Sequence, residues 1–308
     1  MADALRSAGG TVGAGALLTH VAPPVASPFG TASHVEGERI QAIDVGGPAP
    51  PPEAVAFLDG IQRYAVEGRF GLVPVVRGYA AAAVLEREGA ELGVARARQE
   101  EFLVVARSRL TPDQEVALED VGLPIFECDV AERSHPILDV QLAAKEVERR
   151  RELVEAELAA AHVEEAPGSW LVVDGSLGGV GALEGGARAV GLVKSHETQF
   201  LEGPDLEVAL TLPEGHRTSV FARSAGARGR VFSFYLRLWP WQEYDLLHGL
   251  VRIERPPSEA AVADATAVSR WLLAERAPLS APDGRWDRLI YPVRQVETFL
   301  RAQAGGWW

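Results

Sequence analysis

The 308-residue sequence predicts an α/β domain built on a mixed β-sheet with flanking helices. Three observations predict it. Apolar segments broken by turn residues run from Val55 onward, as in an antiparallel meander. One long helical pattern follows over residues 136–162. An apolar run ending in Asp174 then opens a mixture of strands and helices, an order that suits helices packed on a mixed sheet.

Residues 1–36 are rich in Ala, Gly, Pro and Ser and read as a flexible arm ahead of one domain over 37–308. Residues 40–45 read as a short strand, broken by Gly46-Gly47-Pro48-Ala49-Pro50-Pro51-Pro52. After Asp59 come Tyr64-Ala65-Val66, a Glu67-Gly68-Arg69 turn, and apolar runs at 72–76 and 79–84, which suggest two further strands of the meander. Residues 103–106 form another. Thr111-Pro112-Asp113-Gln114 is a helix start, with Thr as cap and Pro in the first turn.

The long helix carries an apolar stripe of Ala143, Val147, Val154, Leu158 and Ala161. Arg151 falls inside that stripe and Glu155 one turn further along it, whereas Glu152 and Glu157 point away. A charged pair on an inward face is either a satisfied salt bridge or part of a site. Beyond it, residues 170–173, 189–194, 207–212, 217–222, 231–238 and 250–253 read as strands. A helix over 258–275, a short strand at Leu289-Ile290-Tyr291 and a helix over 292–303 complete the chain.

Composition narrows the function. With 47% apolar and 24% charged residues, the chain has the make-up of a globular protein with a sizeable core. Cys128 is the only cysteine, which excludes a disulfide framework and a cysteine-based zinc cage. No run approaches the ~18 apolar residues of a membrane span. Asp3 stands where a signal peptide would be basic, so a cytoplasmic protein is expected. A formal charge of −13 argues against tight unaided DNA binding, although Arg149-Arg150-Arg151 leave room for a local basic groove.

The chemistry centres on two Asp-Gly pairs. Val55-Ala56-Phe57-Leu58 runs into Asp59-Gly60, and Trp170-Leu171-Val172-Val173 runs into Asp174-Gly175. A carboxylate at the end of a buried strand is costly to desolvate without a partner. Either aspartate is alternatively an ordinary Asp-Gly turn or a helix cap. If Asp59, Asp174 and Glu155 converged to ~4 Å, each pair would repel by about 4 kcal/mol at an effective dielectric near 20. A hard divalent cation would reverse that sign, and two such ions ~3.5–4 Å apart serve phosphodiester hydrolysis. A P-loop, a Gly-x-Gly-x-x-Gly loop, a His-Glu-x-x-His helix and a Gly-x-Ser-x-Gly elbow are all absent. Lys194-Ser195-His196 reads as a phosphate contact, a completion of the site, or plain surface.

Taken in order, four segments resemble the NurA nuclease family: Asp59-Gly60, the helix with Arg151 and Glu155, Asp174-Gly175-Ser176-Leu177, and Tyr291-Pro292. Val190-Gly191-Leu192-Val193-Lys194-Ser195, Tyr235-Leu236-Arg237-Leu238 and Val251-Arg252-Ile253-Glu254 are similar to strands of that family, so the resemblance spans roughly residues 50–303. It implies an RNase H-like core with a mixed β-sheet and flanking helices. It also implies a Mn²⁺- or Mg²⁺-dependent nuclease acting on DNA ends and single strands, a homodimer, and a HerA-type hexameric translocase as partner, in DNA end processing or defence. Asp59, Glu155 and Asp174 would be metal ligands, with Tyr291 near the site, against the substrate or a metal-bound water.

Two positions depart from the family pattern. Phe299 stands where a metal-binding His is expected, and Ile61 where Ser is favoured after Asp-Gly. Glu297 and His196 are the candidates to replace that His. The departure leaves a second reading, a catalytically impaired subunit that acts as an adaptor or regulator of the translocase. A third is an unrelated α/β domain whose Asp-Gly pairs are turns. Trp307 and Trp308, after Gly305-Gly306, either anchor in another subunit or fold back on the chain's own surface.

Overall fold

The computed structural model describes residues 1–12, 29–89, 91–129, 133–179, 188–224, 230–276 and 290–307. The first elements are α1 (Ala2–Ser7), β1 (Thr11–Val12), β2 (Thr31–His34) and β3 (Ala42–Asp44). They correct the expectation of a loose arm over residues 1–36. Leu5 is fully buried among Phe70, Val73, Val75, Leu103 and Leu118. Thr11 and Val12 pair with Arg69 and Gly68, and β2 edges the main sheet. The rest of the expected arm, 13–28, lies outside the described residues.

The meander consists of β4 (Val55–Phe70), β5 (Val73–Glu88) and β6 (Glu91–Val105), three long antiparallel strands in place of several short ones. The expected turn at Glu67-Gly68-Arg69 is a bulge inside β4, and the true hairpin turn comes at Gly71-Leu72. In β5 the run Ala80-Ala81-Ala82-Ala83 is buried on both faces, so helices pack closely above and below a strand of poor intrinsic β-propensity.

The chain continues through α2 (Pro112–Glu119), whose Thr111 and Gln114 form a reciprocal capping box, to β7 (Ile125–Glu127). Then come α3 (Pro136–Glu165), β8 (Trp170–Asp174) and β9 (Ala189–Val193). Residues 207–212, expected as a strand, belong mostly to α4 (Gly203–Leu210). The remaining strands are β10 (His216–Thr218), β11 (Phe221–Ser224), β12 (Arg230–Arg237) and β13 (Leu250–Arg255). The helix expected over 258–275 divides at Asp264 into α5 (Glu259–Ala263) and α6 (Ala265–Glu275). The last helix, α7 (Tyr291–Gln303), takes in Tyr291 and is preceded by Ile290; Leu289 lies outside the described residues.

The sheet order is β2-β11-β12-β13-β9-β8-β4-β5-β6-β7, with β8 parallel to β4 and β9 parallel to β8. Three antiparallel strands, a crossing helix and two strands parallel to the first make an RNase H-like core within a larger mixed sheet. One face packs under α3 through Ala56, Leu58, Val154, Leu158 and Val173. The other packs under α6 and α7 through Phe57, Ile61, Val172, Leu192, Val268 and Val296. Among the described residues, no helix is long and apolar enough to cross a membrane.

Candidate functional site

Strand register decides which acids meet. The parallel pairing of Leu58 with Val173 sets Asp59 beside Asp174 on the two central strands. Phe57 and Val172 face α6 and α7, and side chains alternate along a strand, so both aspartates take that same face. Asp174 ends β8, but Asp59 lies in the middle of β4, which runs on to Phe70. The apolar run therefore stops at Asp59 because the side chain changes, while the strand continues.

Asp59 is 8% exposed, and its Oδ1 accepts from the Gly60 N–H at 2.8 Å. Burial first, and then the neighbouring Asp174 charge, hold its pKa well above the ordinary carboxylate value. Asp174 Oδ2 accepts from Lys194 Nζ at 2.5 Å. Lys194 follows β9, two residues beyond Leu192, which pairs with Asp174. Its charge also reaches Asp59, where it favours the ionised form.

Glu155 approaches from the opposite side. It projects from α3 over Gly60, where a Cβ would stand 2.9 Å from Glu155 Cδ and overlap its Oε1. The glycine leaves room for this carboxylate against the strand, where its charge is felt by Asp59. Burial pushes the Glu155 pKa up to about 7, against the opposing pull of its ion pair with Arg151. Arg151 Nε also donates to Gln62 Oε1 at 2.9 Å, so the inward charged pair forms the salt bridge weighed from sequence. Gly175 has a different task, turning the chain after Asp174 at φ +122°, where a side chain would be strained.

The turn after Asp174 is braced by residues that sequence reasoning noted as strands without assigning a role. Glu254 is fully buried and accepts from Ser176 Oγ at 2.9 Å, Leu177 N at 3.0 Å and Arg223 Nε at 2.7 Å. Arg252 Nη2 donates to the same carboxylate at 3.0 Å. The sequence signal was an Arg-x-Glu pair on one face of an otherwise apolar strand, a pattern that predicts a buried ion pair.

Other sequence candidates are placed elsewhere. Tyr291 is half-buried at the first turn of α7, which packs on β4, β5 and β8. Phe299 packs against the apolar core and lines a groove of about 250 Å³ with Ala81, Arg98, Gln99 and Leu300, over β5 and β6. Glu297 bonds Arg294 at 2.6 Å and also pairs with Arg301, and His196 Nε2 donates to the Leu250 carbonyl at 3.0 Å. Arg149, Arg150 and Arg151 pair with Glu146, Glu100 and Glu155, so the basic groove is neutralised where it was expected. Trp307 folds back, stacked on Tyr79 at 5.8 Å with Arg77 over its ring; Trp308 lies outside the described residues.

Among the described residues, no three His, Cys, Asp or Glu side chains stand close enough, as they lie, to hold an ion together. The donors are nonetheless of the kind a hard cation takes: two side-by-side aspartates, of which Asp59 has its pKa raised first by burial and then by the Asp174 charge, with a third carboxylate across Gly60. No protein-family model and no curated protein matches the sequence. Among solved structures, the chain is similar to the NurA nuclease from Sulfolobus solfataricus, at TM-score 0.47 and 11% identity over 82% of this chain and 80% of that one. It is also similar to human ENDOV, at TM-score 0.32 and 18% identity over 81% of this chain and 83% of that one.

Proposed function

We propose that this chain is a NurA-like, metal-dependent deoxyribonuclease that hydrolyses DNA ends and single strands as a homodimer in the cytoplasm, alongside a HerA-type hexameric translocase. The observation that carries the reading is the side-by-side placement of Asp59 and Asp174 on the central parallel strands of an RNase H-like sheet. The ordered sequence segments around them support the NurA assignment. Asp59 and Asp174 would hold Mn²⁺ or Mg²⁺, with Glu155 adding its oxygens across Gly60. A bound ion supplies positive charge against the phosphate and lowers the pKa of water. The protein's own part is to fix those carboxylates. Glu254 and Arg223 hold the turn that carries Asp174, and Arg151 holds Glu155. Tyr291, on the helix over the aspartate face, is assigned to the substrate.

One observation favours the second reading, an impaired subunit that regulates the translocase: the position expected to hold a His carries Phe299, packed on the core. A single comparison separates the two. Wild type and Asp174→Ala are incubated with linear and single-stranded DNA and Mn²⁺, each with and without the translocase. Cleavage by wild type that falls at least ~10²-fold in the variant is the expected result. No cleavage by wild type, even with its partner, would leave the adaptor reading in its place.

A further inference from the structure

Two of the three acids at this site are paired with a cation, and the two pairs differ. Arg151 pairs with Glu155 on the α3 face and is fixed there by Gln62 as well. Lys194 stands on the other face, with its ammonium 2.5 Å from Asp174 Oδ2 and its charge felt by Asp59. Its side chain is 23% exposed, so it is reached by solvent and by a substrate laid over the aspartates. A hydrolytic centre with two divalent ions needs carboxylate oxygens to face both of them. Here Asp174 Oδ2, on the strand-end residue, already faces an ammonium.

The charges point the same way. Asp59, Asp174 and Glu155 against Arg151 and Lys194 leave one net negative formal charge. One divalent ion turns that into one positive charge, which matches a single phosphodiester. A second would leave a strongly cationic centre, with the added ion repelled by Lys194 across a few ångströms.

We infer that Lys194 serves as the second cation of the site, so that the chain binds one divalent ion and places a lysine ammonium where a second ion would sit, against the scissile phosphate. The inference rests on the nuclease reading and specifies it. Lys194 is then a catalytic residue, because its ammonium contacts the substrate phosphate. No step requires it to give up its proton.

The test counts ions on the full chain. Mn²⁺ is titrated into wild type, Lys194→Met, Lys194→Arg and Asp174→Asn, with free Mn²⁺ followed by its electron paramagnetic resonance signal. Wild type is expected to bind one ion per chain, and Asp174→Asn to lose it. Lys194→Met should bind a second ion, or the first about tenfold more tightly, once the competing charge is gone. Lys194→Arg should keep the wild-type count, and unchanged circular dichroism confirms that each variant is folded. Single-strand cleavage should fall in Lys194→Met, with kcat reduced more than KM is raised. Two ions on wild type, or a count and affinity indifferent to Lys194→Met, would overturn the lysine assignment while leaving the nuclease reading standing. No Mn²⁺ on wild type would remove both.

Discussion

A methyl group added at Gly60 can be accommodated only by moving Glu155, since the ideal Cβ overlaps that carboxylate and not the backbone. The far end of a flexible side chain yields more readily than a strand does. Gly60→Ala is therefore expected to keep the fold and displace the acid. A misplacement of ~1 Å costs roughly 10²-fold in rate when geometry governs the chemistry. Cleavage should fall by that order while the thermal unfolding curve moves by only a few degrees. Full activity in Gly60→Ala would mean that Glu155 does not act through this gap. Both Asp-Gly pairs stood out because an apolar run stops at an acid, yet the second residue of each has a separate cause: a close approach at Gly60, a left-handed backbone at Gly175. The spacing of Arg151 and Glu155 on α3 was equally legible, because helical periodicity fixes the face a residue takes. That Glu155 comes from the opposite side of the sheet to Asp59 and Asp174 was not legible. It depends on which face α3 covers.

Elements were legible where local chemistry and tertiary context agree. The capping box of α2 and the start of α3 are local signals, and both helices begin as expected. Residues 207–212 read as a strand, but Pro204 in the first turn and Asp205 near the N-terminus start a helix there instead. The long strands β4 to β6 were read as fragments because polar and small residues interrupt them. In a sheet this wide, pairing with neighbours carries a strand through such interruptions. Buried polar strand residues belong to the same class of hidden information. Glu254 looks like an acid on a late strand, and in the fold it receives two guanidiniums, a hydroxyl and a backbone N–H. Removing one partner of such a network strands the others without solvent, at about 3–5 kcal/mol. Glu254→Ala should lose that much in urea denaturation and should loosen the turn that holds Asp174. A loss below about 1 kcal/mol would show the network to be dispensable.

At the scale of the whole molecule, electrostatics and topology make opposite demands. The sheet sets its acids at the centre, and on the proposed nuclease reading a nucleic-acid backbone would have to come there to reach them. The chain as a whole carries a formal charge of −13, and its run of three arginines is tied to Glu146, Glu100 and Glu155. Phosphate neutralisation by lysine and arginine supplies nearly all non-specific DNA affinity. With those three cations already paired, that run adds little of such attraction to a chain of net charge −13. A protein so charged engages DNA when something holds the strand against it, which is the arrangement a hexameric translocase would provide. The expected outcome is weak binding of a fluorescent single-stranded oligonucleotide by the chain alone at physiological salt, with Kd no tighter than about 10⁻⁵ M. Adding the translocase should bring the oligonucleotide into cleavage at concentrations where the chain alone does not bind it. The slope of log affinity against log salt should also be shallow for the chain alone, because few counterions are released when few phosphates are neutralised. A steep slope with submicromolar affinity would reveal a basic surface that delivers DNA unaided, and the need for a partner would fall with it.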